Sequence, residues 1–438
     1  MNWEGEKEVN PSQGVLIYGC TFLDPSNSVP GESAGILVKD GKIAGYVDHD
    51  SMKNLDKDQI QLINASGLSL LPGFIDCHLH LTGLSQGLPP SSWLIRDVGE
   101  LLIRAVRQAW ELLMAGFTTV VDNSHNGSII NSMIRRKEIV GPRIIPCGKG
   151  LAATGGAGHV PYFPERLIRQ RHPWAITCDG VDKLRLEVRK LRRDGSDWIK
   201  FWTSGAGMSD RDQWTDVHYS QEEMNAIVAE AHRYGLKVMT HCTCNPAARM
   251  AVTAGVDCII HGEGLDKELK GLLSGNDVVW LPTLGILRML RNPLGLPVRE
   301  NPILSKHFDN VRDYYAEGVR IALGSDTFAD DMTPFGRHGL REIKELMNAG
   351  LDSMAALRVA TVEGGRLLGQ EQSLGSLKVG AAADVLLVQG RLDLDPSVLD
   401  DAAKVVFVMR EGEIVKDFLR LSNHPPKDFG PFRQLTGV

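Results

Sequence analysis

The chain has 438 residues, 43% of them hydrophobic and 23% charged, which is the composition of a globular protein and enough chain for a barrel plus a smaller module. A net charge of −6, no basic tract and no apolar run long enough for a bilayer exclude nucleic acid and membrane as expected partners. The polar N-terminus, without the apolar core of a signal peptide, and seven scattered cysteines predict a cytoplasmic protein without a disulfide framework.

Both ends of the chain are predicted to be β-structure. The β-prone runs are 15–18, 35–38, 42–47, 383–388 and 405–410. Tight turns at Lys39-Asp40-Gly41 and Glu411-Gly412-Glu413 follow two of these runs. Neither end alone is large enough to bury a core. We therefore expect residues 1–69 and 371–438 to form one small composite β-sandwich domain.

The middle of the chain, residues 70–370, alternates strand-like and helix-like segments, which predicts a parallel sheet covered by helices. The expected strands are 70–77, 117–122, 143–147, 197–202, 236–241, 257–261, 278–282 and 320–324. The expected helices are 100–115, 129–139, 181–193, 221–234, 246–254, 267–273, 306–317, 338–349 and 353–368. Eight strands over roughly 250 residues is the size of a (β/α)8 TIM barrel, so we predict this α/β fold. A doubly wound open sheet is the alternative.

Residues of metal-ligand type lie at the ends of several expected strands, where a barrel carries its functional groups. They are His78 and His80 after the first strand, Lys200 in the fourth, His241 in the fifth, His261 in the sixth and Asp326 after the eighth. Residues i and i+2 share one face of a strand, so His78 and His80 can point at the same ion. Taken singly, each residue is explained by core packing or solvation, but together they predict a metal centre.

The stretches GFIDCHLH (73–80), WIKFWTSG (198–205) and LGSD (323–326) resemble motifs of the amidohydrolase superfamily, and the resemblance covers nearly the whole chain. They are most similar to its binuclear branch, which is prolidase-like and imidazolonepropionase-like. The resemblance implies two divalent metal ions, with zinc as the expected metal. It also implies that His78, His80 and Asp326 hold the more buried ion, that His241 and His261 hold the more exposed ion, and that Lys200 bridges both as a CO2-derived carbamate.

The chemistry of these residues agrees with the resemblance. A lysine ammonium has only donors and cannot ligate a cation, so Lys200 among four histidines has to be modified or neutralised. A carbamate would offer one oxygen to each metal. Two close metals can share a hydroxide and lower its pKa, while one of them polarises the scissile carbonyl. Asp326 would take the proton of the attacking water and pass it to the leaving amine.

Other residues are candidates for contacts with the substrate or the metals. His159, in the glycine-rich segment 153–159, resembles the Gly-Gly-His segment of prolidase-like relatives. It is expected to bind the substrate carbonyl or carboxylate, with loop stabilisation as the alternative. Arg288 is a candidate for an anionic substrate group, although a solvated role is the default. Cys242 and Cys244 lie close to His241, but the ligand set is complete without thiolates, so small packed residues are favoured.

Two further sets of residues could border the pocket, and structural roles are the alternative to such contacts. Asp122 and His125 follow the second strand and could touch the pocket, although loop hydrogen bonds are expected. The aromatic residues that could give the pocket an apolar wall are Trp202, Phe328 and Phe335.

One departure from dipeptidase-like relatives bears on specificity. Those relatives tend to carry a tyrosine two residues after the strand-five histidine, where it helps bind the substrate α-carboxylate. Here the position is Thr243, which shares a face with His241 by strand alternation, so the change should enlarge the pocket. We therefore expect a preference for substrates with a bulkier apolar or aromatic group over simple dipeptides.

The sequence thus predicts a metal-dependent amidohydrolase that uses a metal-bridging hydroxide to cleave a linear C–N acyl bond. The expected substrates are small molecules: an amide, N-acyl amino acid, dipeptide, or aryl urea or carbamate. A mononuclear-type deaminase or cyclic-amide hydrolase is the alternative, but Lys200 is usually absent there. A non-catalytic barrel scaffold is less favoured, because such relatives have typically lost metal ligands. A homo-oligomer is expected.

Overall fold

In the computed structural model of the chain, the described residues are 14–31, 33–54, 60–84, 93–160, 163–207, 209–291, 298–422 and 430–432. Their strands are β1 Gly14–Tyr18, β2 Thr21–Phe22, β3 Gly35–Lys39, β4 Lys42–Val47, β5 Ile60–Asn64, β6 Leu68–Pro72, β7 Phe74–Leu79, β8 Phe117–Asp122, β9 Arg143–Pro146, β10 Gly150–Ala152, β11 Ala175–Thr177, β12 Trp198–Trp202, β13 Lys237–Cys242, β14 Cys258–His261, β15 Val279–Leu281, β16 Val385–Gln389, β17 Val405–Arg410 and β18 Glu413–Asp417.

The helices of the described residues are α1 Val98–Met114, α2 Gly127–Arg135, α3 Glu165–Arg171, α4 Val181–Arg193, α5 Gln221–Arg233, α6 Asn245–Ala254, α7 Leu269–Gly275, α8 Leu284–Arg291, α9 Pro302–Ala316, α10 Arg337–Asn348, α11 Ser353–Val359 and α12 Val362–Leu367. Within these described ranges, no helix combines the length and the apolar character that a bilayer crossing requires.

Two sheets are built from strands near the two ends of the chain. Their strand orders are β4-β3-β1-β5 and β18-β17-β16-β6-β2. In the second sheet β6 pairs antiparallel with β16, so that Leu71 lies opposite Leu386. One buried apolar cluster contains side chains from both sheets, among them Ile17, Leu70 and Leu387. The N-terminal and C-terminal strands therefore share one buried core, and we call these two sheets the terminal sheets.

The middle of the chain forms two sheets in which every strand pair is parallel, and we call them the parallel sheets. Their orders are β7-β8-β9 and β11-β10-β12-β13-β14-β15. The segment 320–327 bonds to both sheets. The Ala322 N–H donates to the Trp280 carbonyl at 3.1 Å, and the Cys77 N–H donates to the Leu323 carbonyl at 2.8 Å. An α/β fold with parallel strands, as predicted, is confirmed.

The two kinds of sheet differ in how their strands are buried. Every residue of β7, β8 and β12 is buried, whereas β4 and β18 have exposed and half-buried positions. Strands covered on both faces have continuous apolar sequences, which is why the parallel strands lack an alternating pattern. Polar side chains within the parallel sheets therefore stand out against an apolar background.

Local signals place several helices as expected. Ser220 caps α5 by accepting from the Glu223 N–H, while the Glu223 carboxylate accepts from the Ser220 N–H. Pro246 occupies the first turn of α6, where its missing N–H has no consequence. These helices follow β12 and β13 and cover the parallel sheet.

The expected first strand, 70–77, is two strands in the structure. The break lies at Gly73, whose N–H donates to the Asp384 carbonyl at 2.9 Å. A Cβ at this position would overlap the side chain of Thr118, so only glycine permits the close approach. As a result β6 belongs to a terminal sheet, while β7 leads into a parallel sheet.

Three other expectations differ from the structure. Residues 320–324 form isolated bridges instead of a continuous strand, with Ile321 opposite Trp280. Strands β10 and β11 lie between the expected strand 143–147 and the expected helix 181–193, where we expected no strand, because three-residue strands leave no periodic pattern. The expected helix 353–368 is interrupted between α11 and α12, where Thr361 leaves the helical conformation.

Candidate metal centre

Three of the expected ligands meet where β7 ends. His78 lies in β7 and His80 follows it, and the Asp326 N–H donates to the His78 carbonyl at 2.8 Å. This backbone bond holds Asp326 beside the strand. The Nε2 atoms of His78 and His80 lie 3.2 and 3.1 Å from Asp326 Oδ1. Two imidazole nitrogens therefore converge on one carboxylate oxygen.

The hydrogen bonds of His80 indicate what its second ring nitrogen can bind. His80 Nδ1 lies 2.8 Å from the Asn123 carbonyl oxygen, which only accepts, so Nδ1 carries the hydrogen. In the neutral ring Nε2 then presents a lone pair, 3.1 Å from a carboxylate oxygen of Asp326. Two electron-rich atoms at this distance repel each other unless a proton or a metal ion lies between or beside them.

Asp326 is an anionic group in an uncommon backbone conformation. Burial alone would raise the pKa of Asp326, but a hydrogen bond from His78 Nε2 holds that pKa well below its usual range. Its φ of 54° lies in the left-handed region, which side-chain-bearing residues rarely adopt. Its side chain is 18% exposed, compared with 1% for His78. Asp326 is therefore ionised at neutral pH and reachable from outside, and such outlier conformations cluster at functional sites.

The other two histidines are neighbours on adjacent strands. His241 in β13 lies next to His261 at the end of β14, with ring centroids 4.6 Å apart. His241 Nε2 donates to the Gly205 carbonyl at 3.2 Å, which leaves Nδ1 with a lone pair. His261 Nδ1 is bonded to Thr283 Oγ1 at 2.8 Å. His78, His261 and Asp326 each offer a ligand atom, and these atoms lie within 4.8 Å of one another.

Lys200 lies on β12 beside these histidines and is 1% exposed. Its Nζ is 5.3 Å from the ring centroid of Trp202. Among the described residues, no carboxylate forms a salt bridge with Lys200. Burial lowers the pKa of Lys200 to about 8, although the charge of Asp326 opposes the shift. A substantial fraction of the amine is therefore neutral at mildly alkaline pH.

Three histidines of the site, His78, His241 and His261, are neutral at pH 7. Burial first, and the positive charge of Lys200 second, lower the pKa of His78 and His241 to about 3. Burial, together with the neighbouring His241, lowers the pKa of His261 well below its ordinary value. Neutral imidazole is the form that ligates a metal ion.

Asp76 is a buried residue of this region that the sequence did not single out. Its Oδ1 accepts from the His78 N–H at 3.1 Å and from the Ser325 N–H at 3.0 Å. It therefore ties β7 to the segment that carries Asp326. The sequence signal was present, since Asp76 lies two residues before His78, but a carboxylate within an apolar strand has several explanations.

His159 lies in the segment that leads from β10 and is 9% exposed. Its Nδ1 accepts from the Gly155 N–H at 2.9 Å, so the loop-stabilising contact is present. The same bond leaves Nε2 as a donor in the neutral ring. No measured contact joins His159 to the six expected ligands.

Arg288 and the two cysteines have structural partners. Arg288 Nη1 donates to both carboxylate oxygens of Glu345 at 2.6 and 2.9 Å, which connects α8 to α10. Cys242 and Cys244 are buried, and Cys242 Sγ donates to the Cys244 carbonyl at 3.5 Å. Burial raises the pKa of the Cys242 thiol to about 12, so this sulfur is not a thiolate at neutral pH.

Asp122 and His125 have the expected loop hydrogen bonds. Asp122 Oδ1 accepts from the Leu81 N–H at 2.6 Å, and Oδ2 accepts from the Ser124 hydroxyl at 2.8 Å. His125 Nδ1 donates to the Pro173 carbonyl at 2.9 Å. These bonds fix the segments that follow β7 and β8.

Two of the three expected wall residues lie near the centre. Trp202 is buried beside Lys200, and Phe328 packs in a cluster with Trp93. Phe335 packs in the main core and lines a separate groove to which none of the six expected ligands contributes. The expectation for Phe335 was therefore wrong, because the chain turns into α10 just after it.

Trp174 is an aromatic neighbour of the centre that sequence reasoning missed. Its ring centroid lies 6.1 Å from that of His80. The contact arises because the Gly150 N–H donates to the Trp174 carbonyl at 2.8 Å, which places the start of β11 beside β10. No local pattern announces this pairing.

Thr243 does not open the pocket as expected. It is 2% exposed, and its hydroxyl oxygen lies 2.6 Å from the Trp214 carbonyl and 2.9 Å from the Gly205 carbonyl. It also lies 2.7 Å from the Ser204 hydroxyl. The segment that follows β12 therefore covers Thr243, and its hydroxyl is committed to that segment.

Comparisons with known proteins identify the family of the chain. A family model described as the amidohydrolase family matches residues 69–415, which include all six expected ligands. Ochratoxinase of Aspergillus niger is 26% identical over 426 residues, covering 92% of this chain and 87% of that protein. Imidazolonepropionase of Aliivibrio salmonicida is 27% identical over 392 residues, covering 82% of this chain and 86% of that protein.

Solved structures show the same fold. A prolidase complexed with N-methylphosphonate-L-proline has a TM-score of 0.80 at 27% identity, covering 92% of this chain and 100% of that chain. The structure of A. niger ochratoxinase has a TM-score of 0.83 at 24% identity, covering 93% of this chain and 96% of that chain. The likeness extends over both the parallel and the terminal sheets.

Proposed function

This chain belongs to the amidohydrolase family and is a hydrolase of carbon–nitrogen bonds, and from that premise we propose that it cleaves a linear C–N acyl bond with two divalent metal ions. The single observation that carries the proposal is the convergence of neutral, buried imidazoles and an ionised carboxylate around one point. The proposed ligands are His78, His80, Lys200, His241, His261 and Asp326. The proposed substrate is a small amide, N-acyl amino acid, dipeptide, or aryl urea or carbamate.

The donor set fits divalent cations. His80 and Asp326 turn a lone pair and a carboxylate oxygen toward each other at 3.1 Å, an arrangement that a cation stabilises. The bonds to Asn123 and Gly205 fix the tautomers of His80 and His241, so that each ring offers one free nitrogen. Divalent ions, with zinc as the first candidate, supply the Lewis acidity that polarises a scissile carbonyl and acidifies water.

Lys200 is suited to carboxylation. Its pKa of about 8 leaves a neutral amine that can attack CO2, forming an N–C bond and releasing one proton. The product is a carbamate with two oxygens and a negative charge. This change replaces a buried cation, which cannot ligate, with an anion that can offer one oxygen to each of two metal ions.

Asp326 and His159 are the proposed catalytic residues. Asp326 is ionised and partly exposed, which suits a group that accepts a proton from water and returns it to the leaving amine. His159 accepts through Nδ1, so its Nε2–H is available to a substrate carbonyl or carboxylate oxygen. Its place in the glycine-rich segment after β10 supports this contact.

We also propose that the two parallel sheets belong to one (β/α)8 barrel and that the terminal sheets form a β-sandwich. The segment 320–327 bonds to β7 and β15, which supports closure on one side. On the other side the Asp197 N–H donates to the Pro146 carbonyl at 2.8 Å, which connects β9 to the start of β12. The core shared by the terminal sheets supports the sandwich.

A cytoplasmic homo-oligomer is part of the proposal. All seven cysteines are free thiols, which supports a reducing compartment. Sedimentation of the purified protein gives the number of subunits, and a monomer would contradict the oligomer.

The proposed function is tested by metal content and turnover measured together. We expect about two metal ions per chain by elemental analysis and hydrolysis of at least one member of a panel of dipeptides, N-acyl amino acids, neutral amides and aryl ureas. Chelation should abolish the activity, and added zinc, cobalt or manganese should restore it. A single ion with deaminase activity would favour the alternative reaction, and full activity in metal-free protein would refute the proposal.

A further inference from the structure

The two sides of the candidate centre differ in chemistry. His261 has the hydroxyl of Thr283 bonded to its ring and the ring of His241 beside it. Around His80 the neighbouring groups are aromatic rings. A substrate that reaches the centre on the His80 side therefore meets an apolar surface.

Trp174 is the part of this aromatic surface that touches the centre. Its ring meets that of His80 edge to face, with centroids 6.1 Å apart and planes at 64°. Behind it, Trp93 lies at 6.2 Å and His172 at 5.1 Å. Trp93 is 2% exposed and His172 is 4% exposed, whereas Trp174 is only partly buried. A half-open ring supported by two buried rings forms a platform.

The apolar surface continues on both sides of Trp174. On one side Trp174 packs against a cluster that includes Trp93 and Phe328. On the other side it packs against a cluster that includes Ala157 and Trp202. The Trp202 ring centroid lies 5.3 Å from Lys200 Nζ, and Phe328 follows Asp326 by two residues. The surface therefore extends along one flank of the centre, from the segment that carries Asp326 to Lys200.

The platform is fixed before any ligand binds. His172 Nδ1 accepts from the Ala175 N–H at 3.2 Å and lies 3.5 Å from the backbone nitrogen of Trp174. These contacts anchor the backbone at the start of β11. Burial first, and the charge of Lys149 second, lower the pKa of His172 to about 3, so the ring stays neutral. Preorganised aromatic groups lose little freedom when a ligand binds, which favours affinity.

The face of a tryptophan ring attracts both aromatic rings and cations. The charge near the platform indicates which of these two classes of ligand binds here. Lys149 lies close to the platform, because it directly precedes Gly150, whose N–H donates to the Trp174 carbonyl at 2.8 Å. No carboxylate in the described part of the chain forms a salt bridge with Lys149. Its positive charge would repel a cationic group, which leaves an aromatic ring as the favoured ligand.

We propose that Trp174, backed by Trp93 and His172, forms a binding site for an aromatic ring of the substrate on the His80 side of the centre. The proposal rests on the proposed function for the reaction itself, but the platform exists whether or not turnover occurs. Trp174 would then determine the specificity for aromatic substrates, although it belongs to neither the proposed metal ligands nor the glycine-rich segment.

The test compares substrates that differ in one group. One pair carries a phenyl or a methyl group on the acyl carbon, and a second pair carries a phenyl or a methyl group on the leaving amine. The variants are Trp174→Ala, Trp174→Phe and, as a matched control, Trp110→Ala on α1, which lines the groove remote from the centre. Metal content and thermal unfolding of each variant show whether it is folded and loaded.

We expect Trp174→Ala to lower kcat/KM for the phenyl member of at least one pair by about tenfold or more relative to the methyl member. Trp174→Phe should retain most of the preference, within about threefold, because it keeps a ring. Trp110→Ala should leave the preference unchanged. Equal losses for phenyl and methyl substrates, or no change in Trp174→Ala, would overturn the proposal.

A second readout does not require turnover. Equilibrium binding of benzoate and acetate to the same proteins should show a preference for benzoate that Trp174→Ala removes. If no substrate is hydrolysed but this preference exists and depends on Trp174, the proposed reaction fails and the platform stands. If hydrolysis proceeds and benzoate binding is unaffected by Trp174→Ala, the platform fails and the reaction stands.

Discussion

The segment 68–79 runs through two regions that treat buried charge differently. Its first half, β6, lies in a terminal sheet, and the nearby buried carboxylate of Asp384 is paired with Arg143 Nη1 at 2.9 Å. Its second half, β7, ends at the candidate centre. There His78, His241 and His261 are neutral, Asp326 is ionised, and Lys200 forms no salt bridge within the described residues.

The two regions compensate buried charge by different means. In the terminal sheets a buried charge is compensated by a fixed partner of the protein, as a stable interior requires. At the centre the carboxylate of Asp326 contacts imidazoles instead of a fixed cationic side chain, and a bound cation would balance its charge. Substitutions should therefore affect stability in one region and catalysis in the other.

The largest expected effect is on the rate, from Asp326→Asn. Loss of a general acid–base group typically lowers kcat by about 10²- to 10⁴-fold. The metal-depleted protein should also lose some stability at neutral pH, because the lowered pKa of Asp326 means that the folded state stabilises its carboxylate, but it should remain folded. Steady-state kinetics and chemical denaturation check the two halves of the prediction. A stability loss that matches the loss of activity would mean that Asp326 is structural.

Lys200→Ala should lower the rate by about a hundredfold or more, because loss of a metal ion removes several kcal/mol of transition-state stabilisation. We expect fewer metal ions per chain, with partial rescue by a short carboxylic acid that replaces the carbamate. Labelled bicarbonate should give a carbamate signal in the wild-type protein that is absent from Lys200→Ala. A variant with two metal ions and near-normal activity would contradict the bridging role.

In the terminal region a substitution should lower the stability and leave the rate nearly unchanged. Asp384→Ala leaves the largely buried Arg143 without its main partner, which should lower the free energy of unfolding by about 3 kcal/mol. The kcat at saturating substrate should stay within about twofold, because no site residue is touched. Glu411→Ala is the control. Its side chain is 50% exposed, so its loss should cost less than about 1 kcal/mol.

The specificity of the centre is expected to favour neutral substrates over free acids. Thr243 offers no free donor, so a substrate carboxylate lacks a charge-assisted hydrogen bond worth roughly 1.5–3 kcal/mol, or about one to two orders of magnitude. We expect kcat/KM for a neutral amide to exceed that of the matched N-acyl amino acid. If the free acid is preferred by tenfold or more, a carboxylate-binding group lies elsewhere, and His159→Ala would identify the first candidate.

A last expected effect is a pH dependence of stability that originates outside both regions. Burial raises the pKa of Glu342 on α10 to about 8, compared with 4.5 for the free group. Between these values the folded state keeps a proton that the unfolded state has released, so the free energy of unfolding should fall as the pH rises toward 8. Glu342→Gln should flatten this decline, whereas Glu345→Gln should preserve it. Denaturation at several pH values distinguishes the two outcomes.

Much of the fold was predictable because its signals are local. The helix α4 has the expected bounds, and α5 begins at its capping box, since periodicity and caps act within a few residues. The segments that differed depend on distant contacts. Gly73 ends a strand because Thr118 approaches it, and β11 exists because β10 pairs with it. Neither contact leaves a signal in the neighbouring sequence.

The candidate site also contains residues that local sequence identifies and residues that only distant contacts place there. Residue type and spacing along the chain were enough to single out His78, His80 and Asp326, because strand ends are visible as breaks in apolar runs. The sequence alone also determined an α/β middle flanked by β-rich ends, since these follow from short-range patterns. Only the tertiary structure decided which aromatic rings border the centre. Trp174 is brought to His80 by strand pairing, and Phe335 is directed away, because side-chain neighbours across 80 or more residues depend on how the strands and helices pack.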